Sequence, residues 1–384
     1  MKRFAVLAIA LILSACGGGS DSSAARSYDW SAVGTALDQF VSTDSSPASG
    51  QVSGYSFIIY DKNGILYQRA AGDHTQGTVD LLASASKLPA AAAIMTLVDQ
   101  GKLDLDKPIA SYLAEAGNPI NWPSDKSAIT MRMLLSHTSG LPGLGDNQPN
   151  CLNNATGTTL QQCAQQIANA NLADPPPGST FNYGGADYQV AGYVATLLAG
   201  APDWQTFFNQ ALVNRMGLAT FTYGDPTTVT NPRIAGDGMS DAADYATILQ
   251  MLQNGGRSAG VQVLSPSSVQ TLESNQIAGL AVDYEPFTAA TQADFTGYTL
   301  GAWISASCQY SPASAGPEFS DPGLLGATPW FDNGAKYGAV ILIDQDTATG
   351  VQMWQAVRPL ILQQLTGKTP GDCGGSSSSS SSGG

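Results

Sequence analysis

In the stretch LLASASKLPAAAAIMTLVDQ, Leu81 to Gln100, Ser84 and Lys87 stand three residues apart at the head of an alanine-rich apolar helix. At i and i+3 both side chains leave the first helical turn on one face, close enough to touch. A serine hydroxyl is a weak nucleophile that needs a base beside it, and a lysine amine serves when desolvation or a neighbouring cation lowers its pKa. The unpaired amides and positive dipole end of the helix favour the oxyanion that forms in acyl transfer. Among the lysines of the chain, only Lys87 has a serine three residues before it. An N-capping serine followed by a solvated lysine would give the same short pattern, so its weight depends on the rest of the chain.

The elements that must position this pair are legible as periodicities. WSAVGTALDQFV, Trp30 to Val41, spaces Trp30, Val33, Leu37, Phe40 and Val41 on one helical face. YSFIIYDKNGILYQRAAG, from Tyr55, places two apolar runs around Asn63-Gly64, a strong hairpin signal. Helical segments follow at Ala186 to Leu198, Trp204 to Met216 and Asp241 to Leu252. Strand patterns return at YTLGAWISASC (from Tyr298), GLLGATPWF (from Gly323) and YGAVILIDQ (from Tyr337), before a last helix at about Gly350 to Leu365. Strands at both ends of the chain with helices between predict an α+β fold: one antiparallel sheet built from both ends and flanked by helices, with a mostly helical insertion at about 110–290.

Several stretches, in the right order from about Trp30 to Leu365, carry a family resemblance. GKLDLDKPIASYL after the Ser84 helix, ITMRMLLSHTSGLPGL from Ile129, PPPGSTFNYGGADYQVAGYVATLL from Pro175 and GLLGATPWFDNGAKYGAVILID from Gly323 resemble the class C branch of the serine β-lactamase and penicillin-binding protein superfamily. S-x-x-K is a signature of that superfamily. The resemblance implies Ser84 as nucleophile, Lys87 as its base, and Tyr183 as a phenol that shuttles a proton between serine and leaving group. It also implies an oxyanion hole from the backbone amides of Ser84 and Leu324.

Two positions depart from the family pattern. The asparagine of Y-x-N is Gly185, which removes an amide that helps orient substrate. The K/H-T-G motif becomes Asp321-Pro322-Gly323. Gly323 is expected to let a strand backbone approach substrate. A carboxylate at 321, where relatives grip a substrate carboxylate, is expected to repel it by ~1–4 kcal/mol at ~4 Å. The expectation is an esterase or amidase for neutral or cationic small substrates, similar to the family's carboxylesterases, nylon-oligomer hydrolases and D-amino-acid amide hydrolases. The rivals are a penicillin-interactive DD-peptidase or β-lactamase, and a catalytically weakened member that binds an envelope ligand. Trp330 is a candidate pocket wall. The HTSG histidine, His137, reads as a buried structural residue.

Gly256-Arg257-Ser258-Ala259-Gly260 matches the G-x-S-x-G elbow, but that elbow needs a strand before the serine and a helix after it. Here an amphipathic helix precedes it, so Ser258 reads as a turn residue.

At 384 residues, 43% hydrophobic and 12% charged, the chain is long enough for a large buried core. A formal net charge of -14 opposes nucleic-acid or anionic-lipid binding through basic patches. No cofactor is implied. MKRFAVLAIALILSAC is read as a signal segment (residues 1–15), with Leu13-Ser14-Ala15-Cys16 resembling a bacterial lipobox. That predicts a lipid on Cys16, an outer-membrane anchor, a tether over 16–28 and a hydrolase domain over 29–373. A Ser/Gly tail at 374–384 has nothing to bury. Export leaves Cys151, Cys163, Cys308 and Cys373 free to form two disulfides in any of three pairings, of which 151–163 with 308–373 is favoured for sequence proximity and for tying down the chain end. With two histidines, His74 and His137, and no CxxC spacing, a metal site is not expected.

Overall fold

A computed structural model describes residues 27–44, 46–286, 295–305 and 316–367. Its centre is a seven-stranded antiparallel sheet in the order Gly64–Gly72, Gly54–Asp61, Tyr337–Leu342, Thr328–Asp332, Glu318–Ser320, Trp303–Ser305 and Phe295–Tyr298. The hairpin β1 (Gly54–Asp61) and β2 (Gly64–Gly72) turns at Asn63-Gly64. The strand β1 pairs directly with β13 (Tyr337–Leu342) near the other end of the chain, Ser56 opposite Leu342 and Asp61 opposite Tyr337. The sheet continues through β12 (Thr328–Asp332), β11 (Glu318–Ser320), β10 (Trp303–Ser305) and β9 (Phe295–Tyr298). The expected strand from Gly323 begins only at Thr328, because Gly323 to Gly326 closes a turn through a Gly326 N–H to Gly323 carbonyl bond.

Both faces of the sheet are covered, which is why β1 reads as continuous apolar sequence rather than an alternation with polar residues. Successive side chains still part to opposite faces. Tyr55, Phe57 and Ile59 join one core with α1 (Ser31–Asp38) and the C-terminal helix Thr347–Thr366, whereas Ile58 and Tyr60 join the core of the helical region.

That second core is organised around α2 (Lys87–Asp99), buried from Lys87 to Leu97. A helix that is apolar all round belongs inside a domain. Its four consecutive alanines, Ala90 to Ala93, are all fully buried. Around it lie α3 (Ile109–Glu115), α4 (Met131–Leu135), α5 (Leu160–Asn169), α6 (Ala186–Ala199), α7 (Trp204–Phe208), α8 (Asn214–Met216), α9 (Ala242–Gln253) and α10 (Pro266–Glu273). The helix expected over Trp204 to Met216 is interrupted by a π-helical turn, Asn209–Val213.

The sulfurs of Cys151 and Cys163 lie 2.05 Å apart. Cys16, Cys308, Cys373, the signal segment and the Ser/Gly tail lie outside the described residues. Ser258 ends a two-residue strand, Arg257–Ser258, paired with Val261–Gln262 across a turn with positive φ at Ala259 and Gly260, so it borders a turn rather than lying in it, and a strand follows it in place of the helix an elbow requires.

Candidate active site

Ser84 does not sit on α2 itself. It lies in a 3-10 turn, Ala83–Ser86, that leads into the helix at Lys87. Ala83, just before it, has φ 47°, a left-handed conformation that is costly for a residue with a Cβ and that tends to occur at functional turns. Four bonds hold the turn. The Leu82 amide donates to the Gly238 carbonyl at 2.8 Å, and the Gly238 amide to Ser86 Oγ at 2.9 Å. Two buried tyrosines, Tyr245 on α9 and Tyr223, donate their hydroxyls to the carbonyls of Ala85 (2.8 Å) and Ser86 (3.0 Å). Nothing in the sequence pointed to these tyrosines, since a hydroxyl that caps a distant turn has no local signature.

Lys87 Nζ is 3.1 Å from Ser84 Oγ and donates to the carbonyl of Ala235 at 3.1 Å. The same amine lies 4.5 Å from the centre of the Tyr183 ring and 5.9 Å from that of Tyr188. Tyr183 is 1% exposed and follows the short strand β4 (Thr180–Asn182). Its backbone is fixed on both sides, the amide donating to the Tyr284 carbonyl and the carbonyl accepting from Leu144. Just before it, Asn182 donates to Asp146 and Asp174. Gly143 passes so close that a Cβ there would lie 1.7 Å from Asn182 Oδ1.

His137 stands behind this group. It is 1% exposed, with Nδ1 3.1 Å from Asp187 Oδ2, and its ring packs 4.6 Å from Tyr183. Ser139 donates to the other oxygen of Asp187. The HTSG stretch thus buttresses the phenol, and burial together with the nearby Lys87 holds the imidazole neutral.

Burial also lowers Lys87, against the opposing charges of Asp321 and then Asp187, to about 8. Burial and the Asp321 charge keep the Tyr183 phenol protonated, only partly offset by its hydrogen bonding with Ser84. The Lys87 amine beside the ring does not offset this, since burial is the larger cause.

The group opens into a cavity of about 580 Å³, walled mainly by Leu81, Leu144, Leu152, Leu324, Leu325 and Pro286. Lys87 and Arg233 are its charged lining residues among those described. Leu324 is 70% exposed there, and neither its amide nor that of Ser84 finds an acceptor within the described chain, leaving both able to meet an oxyanion. Gly185, at the head of α6, lines the cavity, and a Cβ on it would meet no atom nearer than 3.9 Å. The space of the absent asparagine side chain is therefore open. Gln148, unremarked in the sequence, borders it.

Three expected substrate contacts need correction. Asp321 is fully buried, outside the cavity lining, with Oδ2 accepting from the Leu88 amide at 2.9 Å, so it presents no charge to a substrate. Gly323 approaches protein rather than substrate: a Cβ there would lie 2.1 Å from the Leu82 carbonyl oxygen. Trp330 is buried in the core shared with α1 and the C-terminal helix, where its Nε1 donates to the Tyr337 hydroxyl and its ring faces Phe57. The strand period places it on the sheet face that looks away from Ser84.

Comparison with known proteins agrees with this architecture. A family model described as Beta-lactamase matches residues 37–360. Protein Rv1367c of Mycobacterium tuberculosis is 28% identical over 296 residues, 66% of this chain and 72% of its own length. Among solved structures, EstCE1, described as a hydrolase with promiscuous acyltransferase activity, superposes with a TM-score of 0.69 at 19% identity, covering 86% of this chain and 97% of its own. A D-stereospecific amidohydrolase from Streptomyces sp. superposes with a TM-score of 0.60 at 19% identity, covering 89% and 100%.

Proposed function

Because the chain belongs to the beta-lactamase family, we propose that it is an exported serine hydrolase that cleaves esters or amides of small substrates through an acyl-enzyme on Ser84. The observation that carries the reading is the 3.1 Å approach of the Lys87 amine to Ser84 Oγ at the wall of an apolar cavity, with the Tyr183 ring 4.5 Å from the same amine.

In this mechanism the neutral amine of Lys87 takes the serine proton as Oγ bonds to the substrate carbonyl carbon. The oxyanion is met by the amides of Ser84 and Leu324. As the bond to the leaving group breaks, Tyr183 supplies the proton and recovers one from the Lys87 ammonium. Water then attacks the acyl-serine, giving one proton to the base pair while Ser84 regains one, so that ester and water become acid and alcohol. The apolar walls favour uncharged short-chain acyl groups. With Asp321 turned away from the cleft, the earlier reason for preferring cationic substrates falls, while the open space at Gly185 still argues for esters over amide-bearing β-lactams.

The test is a fluorophosphonate probe on the chain starting after the tether. Labelling of Ser84 that vanishes in Ser84→Ala, with p-nitrophenyl ester hydrolysis, is the expected result. Bocillin labelling or release of terminal D-alanine would move the reading to a DD-peptidase, and silence in every assay to a binding protein. Anchoring through Cys16 is tested by palmitate incorporation that is lost in Cys16→Ser. An oxidised Cys151–Cys163 pair, as export would produce, is tested by resistance of both thiols to alkylation without reductant.

A further inference from the structure

The connection from β11 to β12 carries Asp321 beneath the start of α2. Its carboxyl is fully buried and bonded to the amide of Leu88, the residue after Lys87. The contact of Gly323 with the Leu82 carbonyl and a 2.8 Å bond from the Gly323 amide to Ala327 pin this connection against the turn that bears Ser84. Asp321 cannot swing toward the cleft unless that turn moves.

We propose that Asp321 is a positioning residue for the reaction at Ser84: it fixes the head of α2 through Leu88 and compensates the ammonium that forms on Lys87 when the serine proton arrives. The inference rests on the functional reading above. It turns a motif position that looked like a barrier to substrate into part of the base.

The other groups that face the amine are poorly suited to that role. From α6 comes Asp187, already engaged by Ser139 and His137 and pushed strongly toward its neutral form by burial. His137 is held neutral. Tyr183, and Tyr188 on α6, whose rings lie beside the amine, and Tyr223, Tyr245 on α9 and Tyr298 on β9, which act on Asp321 rather than on the amine, are all kept protonated by burial. Burial raises Asp321 too, to about 8, but Lys87 and the Leu88 amide oppose it, so it ionises in the range where the lysine becomes a free base. Asp321, the leading opposing charge on Lys87 and the carboxyl bonded to the head of α2, is therefore the group placed to compensate the ammonium.

The experiment measures kcat/KM for p-nitrophenyl acetate against pH, with Ser84 labelling followed in parallel. Wild-type activity should rise with an acid limb near 8. In Asp321→Asn, which can still accept from Leu88, the limb should fall by about 1–3 pH units, because loss of an opposite charge disfavours the ammonium. The limiting kcat should fall at least ~10-fold with KM little changed, since a weaker base drives the transfer less. Asp321→Glu should hold the limb near its wild-type position. A purely structural Asp321 would lower Tm and leave the limb in place, so an unmoved limb in folded Asp321→Asn overturns the inference. If that variant does not fold, the wild type decides: a buried lysine without a counter-charge titrates at about 5–6. A wild-type limb there would be fatal to the idea, and one near 8 would support it. Failure of the probe to label Ser84 in the wild type would remove the functional reading and this inference together, whereas labelled Ser84 with an unmoved limb removes the inference alone.

Discussion

Two buried pairs of opposite charge lie a few residues apart in this chain and are built for different ends. Glu318 on β11 meets Arg358 of the C-terminal helix, Nε to Oε2 2.8 Å, with both side chains fully buried. Three residues later Asp321 faces Lys87, which is also buried, without an ion-pair contact between them among the described residues. The guanidinium cannot give up its proton, so the first pair is a fixed brace between sheet and helix. An ammonium can, and burial has already lowered this one. Direct contact with a permanent cation makes a strut; a looser approach to a titratable one makes a base. The difference lies in the choice of arginine or lysine and in whether the two charges are in direct contact, not in burial.

The largest effects should come from breaking the second pair's chemistry. Ser84→Ala should lower kcat/KM for p-nitrophenyl acetate by about 10⁴-fold or more, and Lys87→Met should approach the same loss, since residues that act as a unit each abolish the step. Ser84→Ala should leave the urea midpoint little changed, whereas Lys87→Met, which leaves Asp321 buried without its counter-charge, should lower it. The wild-type profile should climb as pH rises through about 8, the reactive form being the neutral amine.

Breaking the brace should do the opposite. Arg358→Ala leaves Glu318 buried and unpaired, and should destabilise the fold by about 3–5 kcal/mol in urea unfolding, with kcat per folded molecule unchanged. Replacing both partners, Glu318→Leu with Arg358→Met, should recover most of that loss. If Arg358→Ala instead cut kcat tenfold without destabilising the protein, the contrast between strut and base would collapse.

Smaller effects sharpen the comparison. Tyr183→Phe should reduce kcat by about 10²-fold, the range of a single general acid, while Ser84 remains labelled. Gly185→Asn should fold normally, within about 0.5 kcal/mol of wild type, because the position has room for a Cβ and asparagine is favoured at a helix N-cap. It should raise amide turnover relative to ester turnover in a paired anilide and phenyl ester assay.

What was readable beforehand follows the range of each interaction. The Asn63-Gly64 hairpin, the helix beginning at Lys87 and the placing of His137 in the interior all depend on short spacings and local propensity. The support of the Ser84 turn by Tyr223, Tyr245 and Gly238 and the grip of Ala235 on Lys87 span over 100 residues of sequence, so no local pattern could carry them. Trp330 and Asp321 were misplaced for one reason: their residue types were legible, but the direction of their side chains was not.

The sequence by itself determined that a hydroxyl and an amine would leave the chain on one face, because three residues of helical backbone separate Ser84 and Lys87. It also determined a sheet drawn from both chain ends, since those strands have apolar faces to bury. Only the tertiary structure decided what that amine would be. Its burial under α6 and the inward turn of Asp321, forced by the packing of Gly323 on Leu82, set how tightly the proton is held, and such solvation and distance effects exist only once the distant segments have met.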